Sequence, residues 1–346
     1  MNLPLAPLAA AYRLGVAVRR VAYRRGWLKT RRLARPVVSV GNLSVGGTGK
    51  TPLVGFIARK LRERGWKPGI LTRGYGRRGS EILIIAPGEG PLPAVEEVGD
   101  EPHMLAHQLP EVPIVVCVDR HRGGCLAEQR FGVNIHLLDD GFQHLALARD
   151  VDIVLVDTTC ELNELVLPEG RLREPWSELA RAHIVVLTRT NCGHTAAFEE
   201  RIGCFSPHAR IFRSSTRLTG IVQVPEGASI EQAEIHGRPV MGFCGIGNPG
   251  AFYRDLMRWG FQVVKTASYR DHHRYNPAEV KQLERLAQAN GATALVTTEK
   301  DWVNFPPVWN ADLPVLVCRV DPEIQDEEVM VDEIVRVVQE GREQKP

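Results

Sequence analysis

The sequence predicts an α/β fold: a mostly parallel sheet with crossover helices, followed by a second, smaller α/β unit. Three observations predict it. From Pro36 to about Arg213, short apolar runs alternate with polar stretches of helical spacing. The first of those runs ends in the glycine-rich turn VGNLSVGGTGKTP (40–52), and an amphipathic stretch follows. Over 214–238 the character changes to short β-like pieces with Pro225 and Gly227, after which the alternation resumes. At 346 residues the chain also exceeds what one core usually fills.

Taken in order, strands are expected over 37–41, 68–72, 113–118, 134–139, 152–157 and 183–188. Residues 51–64 (TPLVGFIARKLRER) place apolar side chains at helical spacing directly after the glycine turn. In the second unit, strands are expected near 240–244, 262–266, 293–297 and 314–318, with helices near 250–259, 277–290 and 326–340. The expected division is therefore a basic segment (1–35), a first domain (36–213), a β-like connector (214–238) and a smaller C-terminal domain (239–346). The last helix is free to pack back on the first domain.

Hydrophobic content of 44% and charged content of 24% are ordinary globular values. Seven scattered cysteines without a CxxC pair argue against a disulfide framework and a structural zinc site, and fit a reducing cytoplasm. The net charge of +2 hides an asymmetry. Residues 1–36 hold Arg13, Arg19, Arg20, Arg24, Arg25, Lys29, Arg31, Arg32 and Arg35 and no acid, which leaves the remaining chain at −7. The apolar opening is too short to span a bilayer, and its charges follow it instead of preceding it, unlike a signal peptide. On a helical wheel Arg13, Arg20 and Arg24 share one side, opposite Ala11, Val18 and Ala22. A basic helix lying on an anionic membrane surface fits this pattern, as does a solvated terminal helix or a nucleic-acid tail.

The glycine turn carries the strongest chemical signal. Gly46, Gly47 and Gly49 let the backbone fold tightly and aim successive N–H groups at phosphate oxygens. Lys50 is placed to reach β/γ-phosphates, the Thr51 hydroxyl to ligate Mg²⁺, and the following helix adds its positive N-terminus. The usual pattern has Gly where this chain has Ser44, but the inner glycines and the Gly-Lys-Thr ending are intact. The strand–loop–helix context marks a P-loop NTPase-like site over Ser44, Val45, Gly46, Gly47, Thr48, Gly49, Lys50 and Thr51.

Other polar stretches gather at strand ends. HLLDDGFQH (136–144) ends an apolar run in Asp139 and Asp140, a pair suited to Mg²⁺ beside a phosphate loop. VGDEPHMLA (98–106) sets Asp100 and Glu101 before a helix-like run, either as a cap or as a base for an acceptor hydroxyl. RGYGRR (73–78) arranges Arg73, Arg77 and Arg78 around Tyr75. Arg120 and His121 follow another strand, and Arg171 and Arg173 lie in EGRLREP (169–175). An arginine rim of this kind suits an acceptor that already carries phosphate. YRDHHRY (269–275) holds Asp271, His272 and His273, a candidate proton relay or a surface cluster. TTEKDW (297–302) follows a strand.

Together these stretches resemble the tetraacyldisaccharide 4′-kinase family, the lipid A 4′-kinases of Gram-negative bacteria. The carrying residues are VGNLSVGGTGKTP (40–52), RGYGR (73–77), GDEP (99–102), DDGFQH (139–144), GRLREP (170–175), DHH (271–273) and TEKD (298–301), in the family's order. The resemblance implies ATP- and Mg²⁺-dependent phosphorylation of the 4′-hydroxyl of a lipid disaccharide 1-phosphate. It implies catalytic roles for Asp100, His272 and Lys50, with His272 preferred over His273. It implies a metal near Thr51, Asp139, Asp140 and Glu174. The acceptor is expected to meet Arg73, Tyr75, Arg77, Arg78, Arg120, His121 and Arg171. Residues 1–35 match the family's membrane-surface segment. A peripheral protein on the cytoplasmic face of the inner membrane is thus expected, with neither nucleic acid nor an obligate protein partner.

Three other readings compete. A P-loop GTPase or metallochaperone would read guanine with Asn-Lys-x-Asp, and the nearest stretch, TRTN (188–191), lacks the Lys and the Asp. A non-catalytic, nucleotide-gated membrane adaptor would leave the Asp100 and His272 stretches without a role. A soluble small-molecule kinase leaves residues 1–35 unexplained.

Overall fold

The computed structural model describes residues 5–309 and 312–343. It opens with α1 (Leu5–Arg24), which meets the body of the protein through polar side chains and buries only Ala9. The first half then runs β1 (Val37–Asn42), α2 (Lys50–Glu63), β2 (Pro68–Thr72), β3 (Leu83–Ile85), α3 (Val95–Val98), α4 (Asp100–Gln108), β4 (Ile114–Val116), α5 (Arg120–Phe131), β5 (Ile135–Asp139), β6 (Val151–Asp157), β7 (Ile184–Thr188) and α6 (Thr195–Phe205). A long strand, β8 (Arg210–Val224), leads on to β9 (Ala228–Ile230), α7 (Gln232–Ile235), β10 (Pro239–Cys244), α8 (Pro249–Arg258), β11 (Gln262–Ser268), α9 (Pro277–Ala289), β12 (Ala294–Thr298), α10 (Glu299–Val303), β13 (Val315–Ile324) and α11 (Glu327–Glu343).

Among the described residues the strands form one sheet, ordered β11-β10-β12-β13-β8-β7-β6-β1-β5-β2-β4-β3, with β9 on β8. Its central strands read as unbroken apolar runs because both faces are covered, as parallel strands require. β1, β2, β5 and β6 are buried along their whole length. Among the described strands, antiparallel pairing occurs at β3–β4, β8–β9 and β8–β13.

β8 joins the two series. Its first residues pair parallel with β7, and from Ser214 onward it pairs antiparallel with β13. The 214–238 segment is therefore bonded into the sheet. Leu53, Ile57 and Leu61 of α2 share a core with Met330, Ile334 and Val338 of α11. Arg59 pairs with Asp321, Lys60 with Glu327 at 2.8 Å and Arg64 with Asp332 at 2.8 Å.

The basic side that groups Arg13 with Arg20 faces the body of the protein. Arg13 pairs with Glu169 at 3.2 Å, Arg19 donates to the Gln143 carbonyl at 3.0 Å and Arg20 pairs with the buried Glu178. Leu5, Leu8, Leu14 and Val18 are exposed instead. Glu169, Glu178 and the Gln143 carbonyl take these arginines, and Leu14 and Val18 lie on the side of the helix away from them.

Candidate active site

The glycine turn lies where β1 enters α2. Gly46 and Gly49 hold φ of 109° and 90°, in the left-handed region that favours glycine, and Gly49 caps the helix. Lys50 donates to Asn42 Oδ1 at 3.2 Å and lies 3.5 Å from Asp140. Thr51 is buried at the first turn. The turn is held from one side by residues 171–173: Val45 N–H donates to the Arg171 carbonyl at 2.7 Å, and Arg173 N–H to the Leu43 carbonyl at 2.6 Å. The Arg171 guanidinium donates to the Val45 carbonyl at 3.1 Å, so this arginine lies on the glycine turn itself.

β5 pairs with β1 in parallel, which brings the end of the DDGFQH run beside the turn. Asp140 sits at φ 51° and takes a two-pronged contact from Arg173 at 2.8 and 2.9 Å. Burial pushes its carboxyl up, but Lys50 and Arg173 outweigh that and hold it below the usual range. Asp139 is 2% exposed, and its Oδ1 has no hydrogen-bond partner. Burial, together with Glu101 and Asp140, pushes it up to about 7. A buried carboxylate oxygen left without a donor fits a cation better than a solvated turn. No group of three or more His, Cys, Asp or Glu is arranged to hold a metal ion among the described residues. Mg²⁺ needs none, since it is held by one or two carboxylates, waters and phosphates.

Glu174 stands one layer back. Its Oε2 accepts from Arg181 at 2.7 Å and from Gln143 Nε2 at 3.1 Å, and Gln143 also donates to the Asn42 carbonyl at 2.9 Å. Burial raises the Glu174 carboxyl despite Arg181. The Arg181 guanidinium also lies 4.1 Å from the Phe142 ring centroid.

Across the cavity stands a second constellation, carried by α4 and by the loop after β11. His272 Nδ1 lies 2.7 Å from Asp100 Oδ2, and Asn304 donates to the same oxygen at 3.2 Å. Burial acts to raise Asp100, but the His272 hydrogen bond, Lys300 and Asn304 together hold it below the usual carboxylate range. Burial acts to lower His272, but the Asp100 hydrogen bond and the charges of Asp100 and Asp271 together outweigh it and the net shift is upward, with Lys300 opposing. His272 has φ 62° and packs against the Tyr75 ring at 5.0 Å. His273 turns away to Glu279 at 3.2 Å and stacks on Tyr269. Of the two histidines, only His272 reaches Asp100.

Both constellations open on one cavity of about 630 Å³, whose lining includes Gly46–Thr51, Tyr75, Glu101, Asp140, Arg173, His272 and Lys300. Asp140, Arg189 and His272 all line it, and all have positive φ. Backbone strain of this kind in non-glycine residues collects at functional sites. Arg189 donates to the Gly47 carbonyl at 2.7 Å and pairs with Asp157, whose Oδ2 also accepts from Asn248 at 3.2 Å.

The remaining basic candidates divide. Arg120 is buried beside Asp139 and Asp140, with its Nε lacking a partner, and burial and Arg73 lower its pKa. The Arg77 guanidinium donates to the Val116 carbonyl at 3.4 Å and keeps one buried nitrogen without a partner. Arg73 and Arg78 are exposed on the same turn as Tyr75. His121 is not brought to the cavity; its Nε2 lies 3.1 Å from the Arg32 carbonyl. Sequence reasoning placed Arg173 in the acceptor rim, whereas it pairs with Asp140, and it left Arg189, Lys300 and Asn304 without roles. Arg189 and Lys300 lie in stretches it quoted, but only the pairing of distant strands shows where they point.

Comparison with known proteins adds three findings. The sequence profile of the family described as tetraacyldisaccharide-1-P 4′-kinase matches residues 1–339. A tetraacyldisaccharide 4′-kinase of Koribacter versatilis is 38% identical over 339 residues, covering 96% of this chain and 98% of the relative. One from Geobacter metallireducens is 40% identical over 309 residues, 88% of each chain. The crystal structure of LpxK from Aquifex aeolicus in complex with ATP superposes with a TM-score of 0.76 at 31% identity, over 96% of this chain and 98% of that one.

Proposed function

The chain belongs to the tetraacyldisaccharide 4′-kinase family and is an ATP-dependent kinase of lipid A biosynthesis, and on that premise we propose how its residues divide the work of phosphoryl transfer. The observation that carries the reading is the hydrogen bond between buried Asp100 and His272, whose ring lines the same cavity as the glycine turn.

The N–H groups of residues 46–51 and the Lys50 ammonium hold the β/γ-phosphates. Arg171, laid on the turn, is placed to join them. Thr51, Asp139 and Asp140 are the residues that would hold Mg²⁺, with Glu174 fixing Gln143 behind them. When bound, Mg²⁺ offsets the charge that develops on the transferring phosphoryl group. Asp100 accepts the proton of the sugar 4′-hydroxyl. An alcohol is a weak acid and this carboxylate a weak base, so the transfer belongs late in a loose transition state, where it contributes about 10²–10⁴-fold. Tyr75 and the arginines of 73–78, with Arg120, form the rim that meets the phosphorylated acceptor.

The half built on β1–β7 and the half built on β10–β13 act as two lobes whose closure excludes water. The exposed Leu14 and Val18 side of α1 lies on the lipid surface, so the acyl chains stay in the bilayer while the sugar enters the cavity. Among the described residues no helix is long and apolar enough to cross a membrane.

The test is transfer from γ-labelled ATP, with Mg²⁺ and detergent, to a tetraacyl disaccharide 1-phosphate, with Lys50→Ala in parallel. Labelled bis-phosphate lipid from the wild type alone is expected. ATP binding without labelled lipid would return weight to a nucleotide-gated adaptor.

A further inference from the structure

Beyond the Asp100–His272 pair, two side chains from one turn of α10 converge on it. Thr298 caps this short helix, accepting from Asp301 N–H at 3.1 Å. Asp301, 1% exposed, takes a hydrogen bond from Tyr275 at 2.8 Å and one from Gly245 N–H, whose carbonyl in turn accepts from His272 N–H at 3.2 Å. The helix and the histidine loop are thus fixed to the same point of β10. From that frame Asn304 reaches Asp100 Oδ2 at 3.2 Å, and Lys300 Nζ reaches His272 Nε2 at 3.4 Å. Lys300 is also 2.9 Å from Asp271 and 3.5 Å from Glu101.

The chemistry of the Lys300 contact is one-sided. An ammonium can only donate, so only a neutral imidazole, with its proton on Nδ1 and a lone pair on Nε2, can accept from it. The groups that face the His272 ring are Asp100 from α4, Tyr75, Asp271 and Lys300, with Glu101 on the far side of Lys300. Of these, Lys300 is the one cation among the described residues, and it opposes a second proton on the ring.

We propose that Lys300 and Asn304 are positioning residues of the Asp100–His272 pair. Asn304 fixes the carboxylate oxygen that faces His272. Lys300 restrains protonation of His272 Nε2 and keeps Asp100 in its basic form. This rests on the reading of Asp100 as the base.

The experiment uses the full chain in detergent, labelled with ¹⁵N-histidine. The His272 signals are identified by their loss in His272→Asn, and pH profiles of kcat/KM are recorded alongside. Lys300→Met is expected to raise the His272 titration and the acid limb of the profile by about one pH unit, the scale of removing a neighbouring charge. Lys300→Arg is expected to restore both. Asn304→Ala is expected to lower kcat about tenfold with KM for ATP unchanged. An unmoved His272 titration in Lys300→Met, with a raised KM for ATP, would make Lys300 a phosphate ligand and overturn the proposal. So would Asn304→Ala with lowered thermal stability but full kcat. Because the His272 titration reads Lys300 directly, full turnover in Asp100→Asn would remove the base reading separately.

Discussion

Asp100 is the residue on which chemistry and folding stability meet. Its replacement by Asn keeps the shape and the Asn304 contact but removes the proton acceptor. A fall in kcat of about 10²–10⁴-fold is expected, with nucleotide affinity retained in an equilibrium binding assay. The pair also links stability to pH. The lowered Asp100 contributes stability above its unfolded pKa of about 4 and loses it as pH falls through its folded value. The raised His272 contributes below about 6.5 and loses its share as pH rises through its folded value. The destabilisation of His272→Asn, read by urea unfolding, is therefore greatest near pH 5–6 and smaller at pH 9. Asp139 has the opposite sign. Pushed up to about 7, it favours the folded state while protonated and costs stability as pH rises from about 4 through 7. Asp139→Asn is expected to be more stable than the wild type in urea unfolding at pH 8 without added metal, by on the order of 1–3 kcal/mol, while losing kinase activity.

At the scale of elements, a chain of alternating charges ties α1 to the DDGFQH loop. Arg20 pairs with Glu178, Arg181 sits 3.3 Å from Glu178 and 2.7 Å from Glu174, and Glu174 holds Gln143. Glu174 and Glu178 are both buried. Removing Arg181 leaves both short of counter-charge and uncovers the Phe142 ring. Arg181→Ala is expected to cost about 3–5 kcal/mol of unfolding free energy in urea, the range for a buried pair broken from one side. Exposed pairs such as Arg13–Glu169 are worth about 1 kcal/mol or less. Truncating them should leave stability nearly unchanged.

On the scale of the whole molecule, the two halves touch at the glycine turn. A Cβ on Gly247 would stand 2.0 Å from Gly47 N and 2.8 Å from the Gly46 carbonyl carbon. Both are backbone atoms that cannot swing aside. Gly247→Ala must therefore push the β10–β13 half off the turn, carrying His272 away from Asp100 on α4. A loss of kcat on the order of 10²-fold is expected, the scale set by about 1 Å of misplacement, with circular dichroism unchanged. Full activity in this variant would mean that the contact plays no part in the working state.

The sequence by itself determined the local elements and the loops that end them. The apolar runs at 68–72 and 152–157, and the helical spacing after Gly49, reflect burial and backbone geometry, which neighbouring residues alone dictate. The glycine turn and its Lys50-Thr51 ending are legible for the same reason: phosphate recognition by backbone N–H groups is a property of consecutive residues. Tertiary structure alone decided which distant side chains meet. Asp100 and His272 are 172 positions apart, and their 2.7 Å contact depends on β8 pairing with β7 at one end and β13 at the other. For His272 over His273, which the family motif already favoured, the physical reason lies in the packing of α4, since adjacent side chains diverge and only His272 meets Asp100. Tertiary structure also decided the place of Glu174, whose carboxylate is taken by Arg181, and of the α1 arginines, which turn to Glu169, Glu178 and the Gln143 carbonyl, partners that no local pattern announces. Charge pairing across long loop closures depends on the whole fold, so its partners become visible only once the chain is closed.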